Sequence, residues 1–260
     1  MSSPYTIGAA LAYIRRPYFP AGRDPVGEAA LRHLAQLLAL TLVSMTVLSA
    51  VAGGIISSVA GELPDNVNAA LGASNPGMLL LVAVGFAPVV EEVIFRSWLG
   101  GARACLLGLP ILVSLMAVGT AVTGPVGPML GFGLAGFLSV LVLSIGQRYA
   151  GLSTQAQKEA RWRLFPVAFY GSTGLFALLH LSNYEGGLSS PIMLLAILPQ
   201  ALAGLVFGYV RMRFGLGAAI AFHALYNLVL TGLFIVSQSL AGVPDAAAAV
   251  APLVALLPPA

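Results

Sequence analysis

Met78-Leu-Leu-Leu-Val-Ala-Val-Gly-Phe-Ala-Pro-Val-Val-Glu91-Glu92-Val-Ile-Phe-Arg96 decides how the chain is read. An apolar run leads straight into two adjacent carboxylates and then a guanidinium. The run reads as a membrane-buried helix, where each ionisable side chain costs roughly 2.5–3.5 kcal/mol on insertion scales. A carboxylate pair and an arginine placed there call for partners of matching chemistry elsewhere in the chain.

Composition sets the class. The 260 residues are 58% hydrophobic and 8% charged, with a mean hydropathy of +0.94. A soluble domain carries roughly 25% charged residues. The expected fold is an all-α, polytopic transmembrane helix bundle of seven or eight spans. The net charge of +3 does not point to nucleic acid, because the basic residues are few and sit in loops or at span ends. The single cysteine, Cys105, excludes an intrachain disulfide and leaves the redox compartment unread.

Residues 1–33 mix Tyr5, Tyr13, Tyr18 and Phe19 with Arg15, Arg16, Arg23 and Arg32, broken by Pro17, Pro20 and Pro25. They read as an N-terminal interfacial or loosely ordered arm. His33, near the interface, is expected to be solvated. The run from Leu34 to about Val59 is long enough to cross a bilayer, which takes ~20 residues, and is read as a span rather than a cleaved leader. It opens a membrane-embedded helical domain, 34–260. Further spans are expected at 78–99, 105–123, 128–147, 166–182, 191–210 and 215–237. The apolar tail 246–258 forms a short eighth span or lies in the interface.

Seven alternating spans put all 12 basic residues on one side, or at that end of a span. The opposite loops hold Glu62, Asp65, Glu185 and Asp245 with no Lys or Arg. That asymmetry predicts a cytoplasmic N-terminus. The loop 148–165, with Trp162 among basic residues, is expected along the anionic leaflet or as a plain solvated loop.

Glu92 and Arg96 stand four apart and share a helix face, so they can pair. Glu91 points about 100° away from Glu92 and is free for the bundle interior. This reading makes Glu92 structural and Glu91 chemical. Pro88 is expected to kink the helix and open backbone beside the carboxylates. The fifth span carries Phe176-Ala-Leu-Leu-His180, with Phe176 packed in support of His180. The seventh carries His223-Ala-Leu-Tyr-Asn227, whose first and last residues share a face. Tyr226 is either a packing residue or a substrate contact. A carboxylate, two imidazoles and a carboxamide are the parts for activating water and holding an oxyanion. Glu91, His180 and His223 also offer a Zn²⁺ site with an open position.

The three motifs, E-E-x-x-x-R, F-x-x-x-H and H-x-x-x-N in this order on separate spans, resemble the CPBP family of intramembrane proteases. That family includes the type II CAAX prenyl endopeptidases and relatives of lysostaphin-resistance proteins. The resemblance covers about 78–237. It implies that Glu91 and His180 activate the hydrolytic water, that His223 and Asn227 form the oxyanion site, and that Glu92 and Arg96 brace the motif. Metal-dependent and metal-free glutamate mechanisms both stay open. The implied partners are the lipid bilayer and a membrane-bound peptide or protein substrate, and the expected location is a bacterial cell membrane. The chain departs from the family in one respect. The His180 helix usually follows the glutamate helix directly, whereas here an inserted helical hairpin, about 105–147, lies between them. Two extra spans preserve parity, so the His180 helix still runs antiparallel to the Glu91 helix.

Two other classes fit the same residues. One is a non-catalytic membrane immunity or partner-binding protein that keeps the motif as a polar packing network. The other is a small transporter with Glu91 and the histidines as a proton relay, although no paired half-repeats are visible.

Overall fold

A computed structural model describes residues 5–60, 75–97, 99, 154–184 and 191–241. These residues form six α-helices: α1 (Ile7–Arg15), α2 (Glu28–Ala60), α3 (Pro76–Arg96), α4 (Thr154–Leu179), α5 (Leu198–Phe214) and α6 (Leu216–Ala241). Short 3-10 turns, His180–Asn183 and Pro191–Leu195, follow α4 and precede α5. The all-helical class is as expected.

Among the described residues, four helices are long and apolar enough to cross a membrane: Glu28–Val59, Pro76–Arg96, Ile192–Phe214 and Leu216–Leu240. They meet the expected spans 34–59, 78–99, 191–210 and 215–237. The span expected at 166–182 falls in α4, whose apolar part, Phe165–Leu179, is shorter. The hairpin 105–147 and the tail 246–258 lie outside the described residues, so the described residues do not reach a count of seven or eight.

The surface of α2 shows the solvent it is built for. Val43, Val47, Val51, Ile55 and Val59 recur every fourth residue and are exposed. Leu37, Thr41, Met45, Ser49, Ala52 and Ile56 on the other face are buried. An outward stripe of valines suits acyl chains, whereas an inward face with small and polar residues suits helix packing.

Helix α5 is the centre of the bundle: 56% of its span is buried, against 22–28% for the other three. It packs on α4, α6 and α2. Gly204 and Gly208 let α4 approach. A Cβ on Gly208 would lie 2.8 Å from the Phe169 ring, and one on Gly204 would lie 3.2 Å from both Phe176 and Thr173. Close approach at small residues four apart is the usual device for helices that gain no hydrophobic force in lipid. Gly215, at φ 102°, makes the turn into α6 that a side chain would strain.

The N-terminal arm is more built than its composition suggests. Thr6 caps α1 by accepting from the Ala9 amide, and Ala10 and Tyr13 are buried. The Tyr170 hydroxyl donates to the Ile14 carbonyl at 2.8 Å. The Asp24 amide donates to the Arg213 carbonyl at 2.7 Å, and its carboxylate pairs with the Arg213 guanidinium at 2.6 Å. His33 is buried, not solvated, with Nε2 3.0 Å from the Tyr209 hydroxyl. It sits one turn inside α2, which begins at Glu28 and faces α5 from its start.

Helix α4 joins two stretches that the sequence divides. Pro166 lies inside it, so the expected loop 148–165 becomes, from Thr154, the first turns of a helix. A membrane helix tolerates such a proline where neighbouring groups take up the freed carbonyl.

Candidate active site

Helix α3 is not regular. Between α-helical Pro76–Leu80 and Ala87–Arg96 runs a π-helical stretch, Leu81–Phe86. The Ala87 amide donates to the Val82 carbonyl, five residues back. The next rung would run from residue 88 to Ala83, but Pro88 has no N–H to give. Asn227 fills the place, its Nδ2 donating to the Ala83 carbonyl at 2.7 Å. The backbone opening expected at Pro88 takes this form.

Beyond the π stretch, Glu92 and Arg96 are sealed in the interior, with side chains 0% and 1% exposed. Arg96 Nη1 donates to Glu92 Oε1 at 2.5 Å. The guanidinium lies 4.4 Å over the Phe176 ring and 5.4 Å from that of Phe207, and cation–π contact adds to its support. The carbonyl of Arg96 accepts from Arg211 Nε at 3.1 Å, and that of Phe95 accepts from the Ser172 hydroxyl at 2.5 Å. Both carbonyls belong to the last turn of α3 and need donors from elsewhere. Neither Arg211 nor Ser172 stands out in the sequence, because each acts on backbone.

His223, buried on α6, joins the two carboxylates. Its Nδ1 is 3.1 Å from Glu92 Oε1, and its Nε2 is 3.8 Å from Glu91 Oε2. A carboxylate only accepts, so Nδ1 carries the proton that binds Glu92. Nε2 is left facing Glu91, whose side chain is 20% exposed. The gap of 3.8 Å is beyond a direct hydrogen bond and lets both atoms share a third polar partner. The Phe207 ring lies 4.3 Å from the imidazole, centroid to centroid.

His180 stands at the end of α4. Its Nδ1 donates to the Phe176 carbonyl at 2.9 Å, a bond that also satisfies a helix-end acceptor. This leaves Nε2 as the basic atom. The Phe176 ring forms a common wall, 4.9 Å from His180 and 6.1 Å from His223 by ring centroids.

In the antiparallel arrangement expected from the sequence, Glu91 and His180 fall at one depth. Phe95 meets Phe176 at 5.6 Å. Four residues back from Phe95 is Glu91, and four residues on from Phe176 is His180. Both steps run the same way along the bundle.

Glu91, Glu92, Arg96, Phe176, His180 and His223 are therefore linked by contacts, and Asn227, one turn beyond His223, binds the α3 backbone at Ala83. Tyr226 packs with Phe207, 5.6 Å between ring centroids. Residues 73–229, which hold the whole group, match the protein family described as Type II CAAX prenyl endopeptidase Rce1-like. The chain belongs to this family. Comparison with curated proteins and with solved structures returned no match.

Membership in the Rce1-like family makes the chain CAAX-protease-like and membrane-embedded. It leaves the choice between a metal and a metal-free mechanism to the residues. Among the described residues, no three His, Cys, Asp or Glu side chains gather as metal ligands. Glu91, His180 and His223, the candidate Zn²⁺ set, are neighbours without forming such a cluster. No step is routed through a metal.

Proposed function

We propose that this protein is an intramembrane endopeptidase that hydrolyses a peptide bond of a membrane-bound peptide or protein. One observation carries the reading: the His223 imidazole stands between a sealed carboxylate and a partly exposed one, with the Phe176 ring as a shared wall to a second histidine, His180. Glu91, with His180 Nε2 as partner, takes the proton from a water. His223 Nε2 and the second amide proton of Asn227 donate to the oxyanion of the tetrahedral intermediate. When His223 donates there, its ring carries both protons, and Glu91 and Glu92 flank that cation. Glu92, Arg96 and Phe176 hold the frame.

The site lies toward the end of the bundle where Arg96, Arg211, Arg213 and the N-terminal arm meet. We assign that end to the cytoplasmic leaflet, as the basic residues predict. The family's description makes prenylated C-terminal peptides the first substrates to try.

The test is cleavage of membrane-anchored peptides by the purified protein in liposomes, followed by mass spectrometry of the products. His180→Ala and His223→Ala are expected to remove cleavage from a folded protein. Cleavage at the native rate by either variant refutes the assignment.

A further inference from the structure

The buried residues of α3 do not follow one α-helical face. On an unbroken α-helix, at ~100° per residue, Phe86 and Val93 share the face of Leu79, and Pro88 and Glu92 point to the opposite side. The burial is the reverse. Leu79, Pro88 and Glu92 are buried, while Phe86 is 65% and Val93 39% exposed. The π-helical stretch Leu81–Phe86 narrows the mismatch. Its wider turns hold about one extra residue, which swings all that follows back by ~100°. That is also the angle between Glu91 and Glu92. Without the slip, Glu91 would stand where Glu92 now meets Arg96 and His223, and Glu92 would turn toward the lipid.

Two side chains hold the slip in place. Pro88 withholds the amide that would begin closing the ladder, and Asn227 gives the Ala83 carbonyl the donor it lacks. Asn227 stands one turn beyond His223 on α6, so one helix both fixes the backbone of α3 and reads its carboxylates. We infer that Pro88 and Asn227 form a register lock: they keep a one-residue π slip in α3 that selects Glu92 for the buried pair and leaves Glu91 at the opening. The use of that register rests on the proteolytic reading, whereas the lock itself does not. Pro88 is a positioning residue, and Asn227 has a positioning role besides its place at the oxyanion.

A double-mutant cycle in thermal unfolding tests the lock in the purified full chain. Asn227→Ala alone leaves the Ala83 carbonyl without a donor and is expected to lower Tm by several degrees. In a Pro88→Ala background the new amide reaches that carbonyl, and the same substitution is expected to lower Tm by less than half as much. Equal losses in the two backgrounds overturn the lock. A second variant tests the register. Val82 lies in the π stretch and is 46% exposed. Its deletion together with Pro88→Ala removes the extra residue, closes an ordinary α-helix and leaves Glu91 and Glu92 facing as before. Cleavage within tenfold of the wild type is expected, whereas in a helix without a slip the deletion misplaces both carboxylates. A folded deletion variant that has lost all cleavage overturns the register claim. If the wild type itself cleaves nothing, the proteolytic reading fails, and the Tm cycle still decides the lock.

Discussion

His223 touches both carboxylates of the Glu91–Glu92 pair, holding Glu92 Oε1 at 3.1 Å through Nδ1 and facing Glu91 Oε2 at 3.8 Å through Nε2. Two neighbouring residues of one type are thus placed in different surroundings by a single ring. Glu92 has a guanidinium and an imidazole on one oxygen and no exposure, while Glu91 has neither partner within hydrogen-bond distance and a path to the outside.

The difference predicts a split between stability and activity. Glu92→Gln leaves the Arg96 guanidinium buried without its counter-charge, and breaking a buried pair from one side costs about 3–5 kcal/mol. Thermal unfolding in detergent should show a large loss of Tm for Glu92→Gln. Adding Arg96→Met should recover much of it, because the pair is then removed whole. If Tm falls further in the double variant, the pair is not the frame of the site.

Packing of α4 on α5 gives a second prediction. Gly208→Ala places a methyl 2.8 Å from the Phe169 ring, and overpacking of this kind costs roughly 1–3 kcal/mol. Gly232, with nothing within 4 Å of an added Cβ, should accept alanine without loss. Phe169→Leu should partly rescue Gly208→Ala. Equal Tm values for the two alanine variants would show that the helices do not approach at Gly208.

The arm gives a third, in pH. Tyr13 is buried and donates to the Tyr18 carbonyl at 2.8 Å. Burial pushes its ionisation well above the ordinary value near 10. A phenol that ionises more readily unfolded than folded favours the folded state fully below pH ~10 and loses that advantage as pH rises further. Stability of the arm should therefore fall above pH ~10 in the wild type. Tyr13→Phe should be weaker by about 1 kcal/mol at neutral pH, from the lost hydrogen bond, and flatter in alkali. Limited proteolysis of residues 1–27 across pH 8–11.5 reads both effects, and identical alkaline profiles contradict the assignment.

The site was legible because its residues are polar in an apolar chain. Glu91, Glu92, Arg96, His180, His223 and Asn227 announce themselves by the cost of placing them in lipid, and fourfold spacing pairs Glu92 with Arg96 and His223 with Asn227. The bond from Glu92 to His223 was not visible, because it joins residues 131 apart and depends on how α3 and α6 are rotated. That rotation is set by the π stretch, and Val82-Ala-Val-Gly-Phe86 carries no local mark of it beyond the following Pro88. The long apolar runs located α2, α3, α5 and α6. Pro166 concealed the continuity of α4, since proline reads as a stop where the bundle tolerates it. In the arm, four prolines and four arginines masked α1, whose order comes from Tyr170 and the α5 surface rather than from its own composition.

The central claim is that Glu91 handles the proton of the attacking water. The most direct measurement is kcat/KM of Glu91→Gln against the wild type on one membrane-anchored peptide, with Tm recorded alongside. A fall of roughly 10²–10⁴-fold is expected for the loss of a general base, with Tm within a few degrees because Glu91 is outside the buried pair. Cleavage within tenfold of the wild type by a folded Glu91→Gln protein would contradict the account.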